Sequence, residues 1–242
     1  MSLPNSSVPD FKLRRDGRPI LCYVTGRQNL SAAPQEVLTD LLLDKVELLS
    51  AAGVDWIQLR EKDLSGKQSA VLAHEALKRV SKRAGQTKSE TRIILNDRLD
   101  VALAEQAGGV HLGENSLPVE EAKRLLVSSP ASQTIAHEFL VGVSCHSLEA
   151  AKSAAASGAD FLFFGPIFAT PSKAAYGSPQ GLNHLAEVCN SVGIPVLAIG
   201  GITLANASSC LSAGASGIAA IRLFQDSADP ASLVRALRQL SC

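Results

Sequence analysis

The chain carries no excess of charge of either sign: Lys and Arg number 23, Asp and Glu number 23, and the formal net charge is zero. Without a global field there is no long-range pull towards nucleic acid or an anionic membrane, so any anion site must be built locally. No apolar run reaches the roughly 18 residues needed to cross a bilayer. The first nineteen residues are polar, contain proline and lack the apolar core of a signal peptide, which predicts a loose arm on a cytoplasmic protein. Five cysteines, at positions 22, 145, 189, 210 and 242, form no C-x-x-C pair; most sit in apolar strand or helix patterns, as buried reduced thiols do. G-x-S-x-G, H-E-x-x-H and Walker patterns are also missing, which withdraws support from hydrolase, zinc-protease and P-loop chemistry.

At 242 residues, 46% of them hydrophobic, the chain can bury one sizeable core and has the length of a single α/β barrel domain. Short apolar or β-branched runs alternate with longer Ala- and Leu-rich helical patterns to the C-terminus. Strands are expected at 20–25, 56–60, 92–96, 109–112, 140–144, 161–164, 195–199 and 217–221. Amphipathic helices are expected at 37–51, 68–84, 118–127, 148–157, 182–191, 204–213 and 230–240, with a short one at 99–106. Three helices end alike, in Gly53-Val54-Asp55, Gly158-Ala159-Asp160 and Gly214-Ala215-Ser216, each a glycine cap just before a strand. Eight strands with eight crossovers predict a single-domain (β/α)8 TIM barrel over 20–242, preceded by a flexible arm over 1–19. An open doubly wound sheet is the alternative, less favoured because no G-x-G-x-x-G follows the first strand.

In such a barrel the chemistry sits at the C-terminal ends of the strands. That rule selects Gln58, Arg60 and Lys62; Asn96 and Asp97; His111 and Glu114; Ser144 and His146; Thr170, Ser172 and Lys173; Gly200 and Gly201; and Arg222. Gln58 and Arg60 alternate with apolar neighbours, so both face the barrel interior near its rim. Arg60 and Lys62 flank Glu61; as a bare triplet they read as a surface ion cluster, but at a strand end they suit a highly charged anion. Asn96-Asp97 offers an amide to phosphate oxygens and a carboxylate to Mg2+, or equally an Asx-turn that starts the next helix. The connection 165–173 carries two hydroxyls and a cation, as a lid over a phosphate would, or as a solvated insert would. Gly200-Gly201 lets backbone N–H groups approach a phosphate, although glycine pairs also serve plain tight turns. His111 and His146, taken singly, are more often satisfied rim or core histidines than catalysts.

Seven motifs occur in one order: Gln58-Leu-Arg-Glu-Lys62, Asn96-Asp-Arg98, Gly109-Val-His-Leu-Gly113, Gly142-Val-Ser-Cys-His146, Gly158-Ala-Asp160, Gly165-Pro-Ile-Phe168 and Ala198-Ile-Gly-Gly-Ile202. Over about residues 20 to 240 this resembles the thiamine-phosphate synthases and their thiazole-tautomerase relatives. The resemblance implies an Mg2+-dependent transferase with small-molecule substrates, joining hydroxymethylpyrimidine diphosphate to thiazole phosphate with release of pyrophosphate. It implies that Gln58, Arg60, Lys62, Asn96 and Lys173 grip the pyrophosphate and pyrimidine, and that Asp97 is a metal ligand. Ser144, Thr170 and Ser172 would sit near the pyrophosphate or thiazole phosphate, with Gly200 and Gly201 holding the latter.

Two departures stand out. In the synthases a second acidic metal ligand follows the H-L-G motif where this chain has Ser116, which leaves Glu114 as the nearby carboxylate for the metal. At the last strand, where a serine-containing V-I-S-A-I is typical, the chain reads Ala220-Ile221-Arg222-Leu223-Phe224, so Arg222 either contacts a phosphate or obstructs its site. A tautomerase, using His146 to move a proton, is the second expectation, and a non-catalytic thiamine-precursor binding protein the third. The retained cations favour the synthase, since a tautomerase has no pyrophosphate to hold. The sequence leaves the oligomeric state open, a homo-oligomer included.

Overall fold

Apolar runs of four to six residues form eight strands: β1 (Ile20–Val24), β2 (Trp56–Leu59), β3 (Arg92–Asn96), β4 (Gly109–Leu112), β5 (Leu140–Cys145), β6 (Phe161–Phe164), β7 (Val196–Ile199) and β8 (Gly217–Ala220). Each pairs in parallel with the next, and β8 pairs with β1, so the sheet closes into a barrel. The computed structural model describes residues 17–30, 34–84, 91–128, 139–170 and 178–240. Its helices are α1 (Gln35–Ala52), α2 (Gly66–Ala84), α3 (Leu99–Ala104), α4 (Val119–Ser128), α5 (Leu148–Ala156), α6 (Gly181–Ser191), α7 (Leu204–Ser212), α8 (Arg222–Gln225) and α9 (Pro230–Arg238). The expected (β/α)8 barrel is therefore the fold. Helix α8 was not foreseen, because a single turn is too short to show a periodic apolar pattern. None of the described helices is long and apolar enough to cross a membrane.

Alternation along each strand divides the core in two. Inward residues Ile20, Cys22, Val24, Trp56, Ile94, Leu140, Phe161, Phe163, Leu197 and Ala219 fill the barrel, while outward ones such as Leu21, Ile57, Leu95, Val141 and Ala198 pack against the helices. Strands covered on both faces read as continuous apolar runs, which is why the sequence shows them plainly. The barrel interior is partly aromatic: Trp56 and Phe161 lie 4.7 Å apart by ring centroid, and Phe161 and Phe163 5.5 Å. Gly142 makes room for them, since a Cβ there would meet the Phe161 ring at 2.0 Å.

The three repeated helix ends have one geometry. Gly53, Gly158 and Gly214 adopt φ of 92°, 91° and 95°, the left-handed cap that only glycine takes without penalty. The aspartates behind two of these caps do more than the sequence announced. Asp55 Oδ2 accepts the Leu21 N–H at 2.7 Å and the Arg238 guanidinium at 2.7 Å. Asp160 Oδ2 accepts the Val141 N–H at 2.8 Å and the Lys123 ammonium at 2.5 Å. Each ties a strand's start to the preceding strand and to a helix, at the end of the barrel opposite the chemistry.

Candidate active site

Polar side chains at the C-terminal rim link strand to strand. Gln58, only 2% exposed, points inward and donates through Nε2 to Asn96 Oδ1 at 2.9 Å. Asn96 Nδ2 then donates to Asp97 Oδ2 at 2.7 Å. The other Asp97 oxygen, Oδ1, accepts the Gly113 N–H at 3.2 Å and the Ser116 hydroxyl, while Ser116 Oγ also accepts that N–H at 2.7 Å. One chain of hydrogen bonds thus runs from β2 through β3 to the loop after β4. Asp97 sits at φ 62°, a left-handed conformation that Asp tolerates better than most residues and that aims its carboxylate back across the rim.

The ring continues around the mouth. His111 Nε2 and Ser144 Oγ share a hydrogen bond of 2.8 Å, and the His111 ring stacks on Phe163 at 4.2 Å. His146 Nδ1 meets the Gly165 carbonyl oxygen; a carbonyl only accepts, so Nδ1 is the donor. At β7, Ile167 N–H donates to Ile199 O at 2.9 Å and Phe168 N–H to Gly200 O at 3.0 Å. Gly200 and Gly201 have φ of 97° and 67°, and a Cβ on Gly200 would stand 2.5 Å from Pro166. Both glycines are thus demanded by backbone conformation and by close packing against the β6 loop.

The sequence-selected residues fall into groups. Gln58, Asn96 and Asp97 are brought into direct contact, as are His111 and Ser144. Glu61, Lys62, Asn96 and Asp97 border a cavity of about 270 Å³ between the β2 and β3 connections, whose apolar wall is Leu59, Leu64, Leu72 and Leu95. Among the described residues, the side chains of Arg60 and Lys62 have no carboxylate partner. Glu114 is exposed and makes no hydrogen bond to Asp97; Ser116 is the side chain that does. Burial, and next the Glu114 charge, push the Cys145 thiol up to about 12. Arg222 is exposed at the start of α8, while its neighbour Ile221 turns inward onto the barrel core, so the arginine does not fill the mouth. Thr170 is half-buried near the end of the described β6 connection, and Ser172 and Lys173 lie outside the described residues.

Sequence reasoning missed a cluster beside the cations. Arg27, in a single 3-10 turn after β1 (Arg27–Asn29), is 4% exposed, as is the Glu61 side chain it contacts at 3.0 Å. It also grips Asp63 with both terminal nitrogens, at 2.8 and 2.5 Å. This hydrogen-bonded fork holds the Asp63 carboxyl below its ordinary range and the Arg27 guanidinium above its own. Only Glu61, set between two cations in the sequence, could have hinted at it.

The donors at the rim are hard oxygens, Asp97 is exposed, and the Ser116 hydroxyl stands beside it. That set fits an ion that takes one or two carboxylates and completes its shell with substrate oxygens and water.

A profile described as thiamine monophosphate synthase matches residues 23–224. A putative thiamine-phosphate synthase of Geobacter sulfurreducens is 45% identical over 199 residues, covering 82% of this chain and 86% of the relative. A thiamine-phosphate synthase of a Roseiflexus species is 39% identical over 221 residues, 91% of this chain and 84% of its own. Among solved structures, thiamine phosphate pyrophosphorylase from Pyrococcus furiosus superposes with a TM-score of 0.72 at 30% identity, over 91% of this chain and 95% of that one. A geranylgeranylglyceryl phosphate synthase from Thermoplasma acidophilum, at 17% identity and TM-score 0.61 over 94% of each chain, shares the fold alone. On the match to its profile and to relatives spanning most of its length, the chain belongs to the thiamine monophosphate synthase family.

Proposed function

We propose that the protein is a thiamine-phosphate synthase that couples hydroxymethylpyrimidine diphosphate to thiazole phosphate. The observation that carries this reading is Lys62, without a carboxylate partner among the described residues, bordering one cavity with an amide and a carboxylate, Asn96 and Asp97, with Arg60 two positions before it at the end of β2. The C–O bond to diphosphate breaks with its electron pair leaving on the diphosphate, and the thiazole nitrogen lone pair forms the new C–N bond. No proton moves in that exchange, so the site needs charge stabilisation of a leaving group rather than a general base. Arg60 and Lys62, joined by Lys173 from the β6 connection, neutralise the leaving group. Gln58 and Asn96, already fixed to each other at 2.9 Å, orient the pyrimidine. The N–H groups at Gly200 and Gly201 hold the thiazole phosphate, with Ser144 and Thr170 near the two phosphate ends.

Asp97 and Ser116, with substrate oxygens, would hold Mg2+, whose contribution is to offset charge on the departing diphosphate. Glu114, exposed two residues before Ser116, is the second carboxylate offered to this shell. His146, its Nδ1–H committed to Gly165, keeps the β5 and β6 ends in register. The buried thiols and balanced charge suit a reducing cytoplasm.

The test is diphosphate release in the presence of each substrate alone, both together, and both with Mg2+. Release only in the last condition is expected; metal-independent isomerisation of a thiazole carboxylate without release would make the protein a tautomerase. Lys62→Ala and Asp97→Asn should each lower kcat/KM by roughly 10²-fold or more, as loss of one preorganised charge contact does, with melting temperatures little changed, since Asn also tolerates the left-handed backbone at position 97. Full coupling activity in Lys62→Ala and Asp97→Asn would dismiss the pocket.

A further inference from the structure

The loop bearing Arg60 and Lys62 also bears Glu61 and Asp63. In an unconstrained loop four alternating charges would pair with one another and leave little for an anion. Here the carboxylate oxygens are engaged on one side, although Glu61 still borders the cavity that Lys62 lines. Glu61 turns to the β1 connection: its Oε1 accepts the Thr25 hydroxyl at 2.6 Å, and its Oε2 accepts the Arg27 guanidinium at 3.0 Å and the Arg27 backbone N–H at 3.1 Å. Asp63 goes the same way, into the Arg27 fork. The Thr25 oxygen that donates to Glu61 also accepts the Arg60 N–H at 2.9 Å, so the network that collects the carboxylates fixes the Arg60 backbone as well.

We infer that Arg27 is a positioning residue for the diphosphate grip. It draws both carboxylates of the loop to the β1 side and so keeps Arg60 and Lys62 open to an anion. This rests on the proposed function. The burial of the pair explains why the arrangement holds: at 4% exposure for Arg27 and Glu61, a carboxylate that lost its guanidinium would be left buried and uncompensated, a costly state. The cations nearest in the chain to relieve it are Arg60 and Lys62. Diphosphate would then compete with the protein's own carboxylates for the same two cations.

The test is calorimetric affinity for inorganic diphosphate, with KM and kcat for the pyrimidine diphosphate, in wild type, Lys62→Ala, Arg27→Gln and the triple variant Arg27→Gln/Glu61→Gln/Asp63→Asn. Arg27→Gln should weaken diphosphate binding by about tenfold or more, the worth of a charge-assisted contact, and raise KM more than it lowers kcat. The triple variant, lacking the competing carboxylates together with their partner, should return to within about threefold of wild type. A mainly structural arginine would not be rescued in this way. A folded Arg27→Gln protein with unchanged affinity, or a folded triple variant as weak as Arg27→Gln, overturns the inference. Should Arg27→Gln fail to fold, Arg27→Lys, which keeps the charge but loses the two-nitrogen fork on Asp63, is read by the same affinity: weakened diphosphate binding supports the inference and wild-type affinity overturns it. Wild type that does not bind diphosphate, or that is indifferent to Lys62→Ala, overturns the site assignment itself, and the role of Arg27 with it.

Discussion

Asp63 is 43% exposed, yet Arg27 holds both its oxygens, and the consequence is a pH dependence of known sign. Its folded pKa lies below the ordinary 3.8, so its contribution is fully present above that value and is lost as pH falls through the lower folded one. Asp63→Asn should therefore lower the melting temperature at neutral pH, by an amount worth roughly 1 kcal/mol or less for so exposed a carboxylate. The two melting curves should converge as pH drops below 3.8; a gap that widens in acid would contradict the fork. The thiols behave oppositely. Burial pushes Cys189 and Cys210 up to about 11, which keeps them protonated and slow to react at neutral pH. Residue type and position made Gln58, Asn96 and Asp97 legible in the sequence. The direction in which Glu61 points was not, because its partner Arg27 lies thirty-four positions away in the chain.

A similar division holds for the elements. The glycine caps before β2, β6 and β8 could be read because a left-handed residue needs glycine, and Gly53, Gly158 and Gly214 all comply. The Gly200-Gly201 turn was readable as a turn, but its close approach to Pro166 was not, since that loop arrives from a different βα unit. Gly200→Ala combines a φ of 97° with a Cβ 2.5 Å from Pro166. It should destabilise by about 2 kcal/mol or more, as an incompatible backbone position with a steric clash does. It should also weaken thiazole-phosphate binding, measured by urea denaturation and by calorimetry; wild-type values in both would mean the turn is neither tight nor a phosphate site. The turn of α8 escaped the sequence for the opposite reason. Four residues carry no period.

For the molecule as a whole, closure of the barrel is the decisive event. β8 pairs with β1 through Ile20, Leu21, Cys22 and Tyr23, and Tyr23 extends the seam by donating its hydroxyl to Gln225 Oε1 at 2.9 Å. Gln225 Nε2 in turn donates to the Gly26 carbonyl at 3.2 Å, so the last βα unit reaches the first rim turn, next to Arg27. Tyr23→Phe leaves a buried amide oxygen without this donor and should cost roughly 1–3 kcal/mol. Because the seam adjoins the rim, diphosphate affinity should fall too. Unchanged stability in chemical denaturation would show that the seam is held by packing alone. At the opposite end, Asp160→Ala should cost roughly 1–3 kcal/mol, chiefly by leaving the buried Val141 N–H without its acceptor, while leaving turnover intact, as expected of the face that carries stability rather than chemistry.

The sequence by itself determined the alternation of strand and helix, the number of βα units, the caps and most of the polar residues at the rim. These are local properties: propensity, period and backbone conformation act over a few residues. Only the tertiary structure decided which rim groups meet. Parallel pairing of successive strands brings Gln58 to Asn96, Ser116 to Asp97, His111 to Ser144 and Arg27 to Glu61. Each contact joins side chains from different βα units. Their partners are chosen by register and by the cost of leaving a buried charge unpaired, neither of which can be read from one segment of chain.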